Sequence, residues 1–195
     1  MRRLPLILLL LAAGCATPEY TPITSFVVEP QIDVQKAEKP TGLTLGVRTL
    51  ETSRAYRQPI AYLDDGLVLG TFDEYEWAEL PSDIVTRALM DAITDTGKFQ
   101  NVGLAAFMTR PAFTLTGQLR RFELNRTSQP WTAVAKATLT LRKSLEPQAV
   151  WSNTLEATAP LATNDVAALP EAMSEAVGKL ASQTASAIAA AGAAQ

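Results

Sequence analysis

Three consecutive runs in the second half of the chain alternate apolar and polar residues with a regularity that leaves few folds open. They are AFTLTGQLRRFEL (residues 112–124), TAVAKATLTLRK (132–143) and AVWSNTLEA (149–157). Successive side chains of a strand point to opposite faces of its sheet, so a period of two marks strands with one face buried and one face wet. In the second run Ala135, Ala137, Leu139 and Leu141 take the inner face, and Lys136, Thr138 and Thr140 the outer one. The third alternates around Trp151, Asn153, Leu155 and Ala157. The first run slips. Phe113, Leu115 and Leu119 share a face, but after Arg120 the pattern shifts by one, so Phe122 and Leu124 change face unless a bulge absorbs the extra residue. Short loops between the runs predict an antiparallel meander.

The strongest helix signal is LPSDIVTRALMDAITDTGKF (80–99). Pro81 suits the first turn, Asp83 complements the positive helix end, and Gly97 can close the helix in a left-handed conformation. Ile84, Val85, Ala88, Leu89, Ala92 and Ile93 form one apolar face. A second helix is predicted near the C-terminus, where Met173, Val177, Leu180, Thr184 and Ile188 recur at helical spacing in alanine-rich sequence. Ahead of the first helix, residues 25–29 and 43–50 read as strands separated by a polar loop over 30–42. ETSRAYRQPIAYLDDG (51–66) reads as irregular, and LVLGTFDEYEW (67–77) as a strand that a two-residue type I′ turn at Asp65 and Gly66 would introduce. The order strands, helix, strands, helix predicts an α+β domain: a mostly antiparallel sheet of about five to six strands with both helices packed on one face.

The first twenty residues do not belong to that pattern. Arg2 and Arg3 precede an apolar run over 4–13, then small residues lead to Cys15, the single cysteine of the chain. This is the charged, apolar and small-residue order of a secretory signal, too short to span a bilayer. Its end resembles the bacterial lipobox, with Ala12, Ala13 and Gly14 before Cys15. The resemblance implies a diacylglycerol thioether on the Cys15 sulfur, cleavage after Gly14 and acylation of the new amine. Several acyl chains make a stable membrane anchor where one does not. By the same resemblance, Ala16 in place of the aspartate that retains lipoproteins in the inner membrane implies the outer membrane, facing the periplasm. The organisation expected is a lipoprotein signal peptide over 1–14, a lipidated tether over 15–24 and one domain over 25–195.

Composition excludes several chemistries. The chain has no histidine, which removes the commonest general base and zinc ligand together with every Ser-His-Asp or Cys-His arrangement. One cysteine permits no internal disulfide. A formal charge of −3 makes nucleic acid a poor partner. No cofactor or metal site is expected. TFDEYEW gathers Asp73, Glu74 and Glu76, but in a strand Glu74 and Glu76 share one face while Asp73 takes the other, so a solvated strand end is the better reading than a cation site or a glycosidase pair. Interfaces favour Tyr, Trp and Arg, which marks Tyr56, Arg57 and Tyr62 as the candidate partner-binding residues.

Residues 56–102 carry a resemblance to a known family. Pro59, Ala61 and Tyr62, then Tyr75, Trp77, Ala78 and Pro81, then Gly97, Phe99 and Val102 match the strand, strand and proline-started helix of the ABC-type transport auxiliary lipoproteins of the PqiC type. The chain resembles that family over nearly all of its mature length. The resemblance implies a non-catalytic auxiliary component of an intermembrane lipid transport system, working with an ABC transporter and an MCE-domain protein to support envelope integrity. It implies a membrane partner through the lipid on Cys15 and leaves self-association open. Two other readings remain: a lipid-binding carrier with its own apolar cavity, and a periplasmic hydrolase relying on carboxylates.

Overall fold

A computed structural model describes residues 22–146 and 148–191. The elements run β1 (Thr24–Phe26), β2 (Thr44–Val47), β3 (Glu51–Thr52), β4 (Pro59–Asp64), β5 (Val68–Trp77), α1 (Pro81–Asp95), β6 (Asn101–Leu104), β7 (Phe113–Asn125), β8 (Thr132–Lys143), β9 (Ala149–Pro160) and α2 (Leu169–Ala191). The α+β class and the two helices hold, but the sheet differs from the expected one. Among the described residues it has nine strands and is mixed, and five of the eight strand pairings are parallel. Only β7–β8, β8–β9 and β4–β5 are antiparallel.

The physical reason lies in β7. One edge of this strand carries the meander. Its other edge is divided among β2, β3 and β4, which pair in turn with Phe113, Thr114 and Leu115, with Gln118 and Leu119, and with Glu123, Leu124 and Asn125. Each runs parallel to β7, because α1 and the chain after it return the polypeptide to the end from which β2 began. β6 then adds outside β2, and β5 and β1 outside β4. Alternation reveals that a run is a strand but not the direction of its neighbour, and strands of two to six residues carry too little of it to be seen. The segment read as irregular contains β3 and β4 for that reason.

Other expectations held. The slip in β7 is absorbed by a bulge between Leu119 and Arg121, so Phe113, Leu115, Leu119, Phe122 and Leu124 are all buried. The apolar face of α1 is buried, as are Met173, Val177, Leu180, Thr184 and Ile188 of α2, and Gly97 ends the first helix at φ +63°. Both helices pack over one face of the sheet in one core, where Trp77 meets the edge of Phe122 with ring centres 5.1 Å apart. The β4–β5 turn has three residues between the paired Asp64 and Val68, not two. Its third, Leu67, takes the left-handed conformation at φ +63°, as three-residue hairpin loops require. For a residue with a Cβ this costs about 1–2 kcal/mol.

The polar loop over 30–42 is an extended strap. The backbone N–H groups of Glu29 and Asp33 donate to the Ser174 and Ser182 hydroxyls at 3.0 and 3.2 Å. Between those two serines, Gly178 lets the strap touch the helix: a Cβ there would lie 2.2 Å from the Gln31 carbonyl oxygen.

Candidate functional site

The three residues selected from the sequence do not form one patch. In the β4–β7 register Ala61 pairs with Glu123 and Tyr62 with Leu124, so Tyr62 shares the core-side face with Leu124, while Glu123 points to the opposite face. Tyr56 follows Glu123. Its hydroxyl donates to Glu123 Oε2 at 2.5 Å, and Arg121 Nε donates to Glu123 Oε1 at 2.8 Å. Glu123 is 1% exposed, and a buried carboxylate must be paired to be tolerated. Burial, then the bond to Glu123, pushes the Tyr56 phenol above its ordinary range. Tyr56 is therefore a protonated donor that fastens the turn ahead of β4 to β7. Arg57, next to it, is exposed.

Tyr62 belongs to a different assembly. Its ring lies across Gly70 of β5, where an added Cβ would fall 2.4 Å from Tyr62 Cζ, and it meets Phe72 with ring centres 4.7 Å apart. Phe72 meets Tyr75 at 5.7 Å, and Tyr75 stacks on Phe26 at 5.4 Å. The Arg126 guanidinium caps the row, 4.0 Å from the centre of Tyr62 and 5.5 Å from that of Trp131. Arg126 Nε donates to Asp64 Oδ1 at 2.7 Å, and its Nη2 donates to Asp64 Oδ2. That bidentate bond holds the Asp64 carboxyl below the usual carboxylate range. Arg126 and Trp131 were not selected from the sequence. They lie beyond the last residue of β7 and at the threshold of β8, and only the parallel β4–β7 register brings them to Tyr62.

Asp73 and Glu74 are exposed, and Glu76 accepts a bond from Ser25 Oγ at 3.0 Å. Among the described residues no group of three acidic, histidine or cysteine side chains is placed to hold a metal ion. Cys15 lies outside the described residues.

Two exposed apolar surfaces sit at opposite ends of the sheet. The β4–β5 turn presents Leu67, Val68 and Leu69, next to the Tyr62 row. At the other end Leu43 and Leu145 flank a cleft with Arg110, Pro111 and Lys143. Phe107 stands 87% exposed nearby, over a second cleft that shares Pro111.

A family model of the ABC-type transport auxiliary lipoprotein component matches residues 28–185. The chain belongs to this family. No match was found among curated proteins. Among solved structures, protein XCC0632 from Xanthomonas campestris is 20% identical and superposes with a TM-score of 0.74, over 86% of this chain and 97% of that one. The hypothetical protein CT253 from Chlamydia trachomatis is 9% identical, with a TM-score of 0.55 over 80% of this chain and 100% of its own. At these identities the likeness is one of fold. The residues that carry the family pattern do structural work: Ala61 and Trp77 are fully buried, Phe99 is nearly so, Pro81 opens α1 and Gly97 closes it. They build the β4–β5–α1 unit of an auxiliary lipoprotein.

Proposed function

We propose that this chain is a non-catalytic auxiliary component of an ABC/MCE-type intermembrane lipid transport system, anchored to the outer membrane through lipid on Cys15 and facing the periplasm. Family membership supports the auxiliary lipoprotein role. The observation that carries the rest is the polarity of the domain. The described chain begins beside β5, where β1 runs parallel to that strand, so a tether would approach from the side of the β4–β5 turn. The opposite end carries the exposed Leu43 and Leu145, close to the exposed Phe107 and to the cations Arg110 and Lys143. An adaptor held at one end must recognise its partner at the other, and exposed aromatic and aliphatic side chains beside cations fit that use. The partner is the MCE-domain protein that bridges the periplasm.

Co-purification with cross-linking from cells tests this. The native chain is expected to capture an MCE-domain protein, and the double variant Phe107→Asp, Leu145→Asp is expected to lose it while remaining folded. Undiminished capture by that variant would remove the far end from the interface. Replacement of Cys15 by Ser is expected to release the protein from the membrane fraction; continued sedimentation would refute the anchor.

A further inference from the structure

The β4–β5 turn is an unusual place for three large apolar residues. Leu67 is 87% exposed, Val68 58% and Leu69 42%. Leu67 also holds the left-handed conformation, where glycine or asparagine is the ordinary choice. A leucine there is strained and buries almost nothing within this domain. The hairpin requires that conformation but not a leucine in it, so the choice of residue points to a use outside the fold.

The chain's own geometry says what lies against this tip. Thr24 is level with Tyr75, Ser25 with Glu76 and Phe26 with Trp77. Cys15 precedes Thr24 by nine residues, and Gly66 precedes Tyr75 by nine. Nine extended residues reach at most about 30 Å, and β5 projects from Tyr75 to its tip by nearly the same length. A tether this short cannot hold the tip clear of the surface in which the Cys15 lipid is embedded when the strands stand upright on it. The surroundings suit an interface. Behind the aliphatic tip come Tyr62, Phe72 and Trp131, aromatic rings of the kind that settle at headgroup depth. The Arg126 charge is already bound to Asp64, so attraction to anionic lipid contributes little.

We propose that the β4–β5 turn is a second membrane contact: Leu67, Val68 and Leu69 enter the headgroup and upper acyl region of the same leaflet that holds the Cys15 lipid, and fix the domain upright. The proposal rests on the lipid anchor read from Cys15. Its occupant is a lipid surface, held by apolar contact and insensitive to salt.

The test uses the full-length lipidated protein in vesicles of phosphatidylethanolamine and phosphatidylglycerol. Because Cys15 is blocked by its thioether, an environment-sensitive fluorophore can be placed on Leu67→Cys alone, with Val68→Cys as a second position and Phe107→Cys as the distant control. Emission at 67 or 68 is expected to shift to the blue and to be quenched by lipids spin-labelled near the headgroup, unchanged at high salt. The probe at 107 is expected to read as water-exposed. If vesicle-bound protein gives the same unquenched, water-like emission at 67, 68 and 107, the second contact is wrong and the anchor stands. If instead the unsubstituted chain takes up the thiol dye and does not float with vesicles, Cys15 is free, and the anchor and this proposal fall together.

Discussion

The two arms that flank β7 are fastened in different ways. On one side β8 and β9, twelve residues each, lie antiparallel in long ladders, each interrupted by a single register shift. On the other, β2, β3 and β4 share one edge of β7 in parallel stretches of two or three register pairs. The first arm is held by backbone bonds between neighbours in sequence. The second is held by side chains that reach across: Tyr56 to Glu123, Arg126 to Asp64, the strap to α2. The weakly laddered arm also carries the β4–β5 turn with Leu67, Val68 and Leu69, and the exposed Leu43 and Phe107 of the far end. The surfaces proposed to meet a membrane and a partner thus lie where the backbone ladder is shortest, and their order rests on a few polar contacts.

Four substitutions probe this contrast. The largest effect is expected from Phe122→Ala. Phe122 lies on the shared strand beneath Trp77, and its loss should cost about 3–5 kcal/mol. Urea unfolding followed by tryptophan fluorescence and by far-ultraviolet circular dichroism should shift together. Separate transitions would mean that the arms unfold independently. Next, Gly178→Ala should cost about 1–3 kcal/mol, because the new Cβ collides with the strap backbone. Amide exchange should accelerate over residues 29–33 and remain slow in β8; acceleration in both would show that the strap fastens the whole sheet.

Tyr56→Phe is expected to cost about 1 kcal/mol at neutral pH, with a pH signature. The folded phenol titrates above its ordinary value of about 10, so the folded state keeps a proton that the unfolded chain gives up. That contribution is complete below about pH 10 and is lost as pH rises through the folded value. Native protein should lose stability above that point faster than the phenylalanine variant, and equal slopes would mean that Tyr56 is not held by Glu123. The smallest effect has the opposite sign. Leu67→Gly should raise thermal stability by about 1 kcal/mol by relieving the left-handed strain, while weakening vesicle contact. A fall in stability would show that Leu67 packs within the domain.

Much of the first arm was legible because long alternating strands advertise themselves, down to the slip after Arg120 that became a bulge. Both helices were legible from their apolar stripes and the Pro81 and Gly97 signals. The second arm was not, since β3 has two residues and β4 lies in a stretch of mixed tyrosines, arginines and a proline. Tyr56 and Tyr62 look like neighbours in the sequence, yet the register against β7 sets Tyr62 beside Leu124, while Tyr56, in the turn ahead of β4, bonds to Glu123. Glu123 carries no signal in the sequence of its burial or of its bonds to Tyr56 and Arg121. Arg126 could be recognised as a partner of Asp64 only once β4 was known to run parallel to β7.

β1 has a mechanical consequence. It is three residues long, its N-terminus faces the tether side, and it continues through residues 27–29 into the strap on α2. A pull between a lipid at one end of the domain and a bound protein at the other would run along the strand axes. Such a load shears the β1–β5 hydrogen bonds together rather than peeling them one by one, and then draws on the strap. The short strand and the serines of α2 would act in series as a force-bearing coupling between the leaflet and the fold.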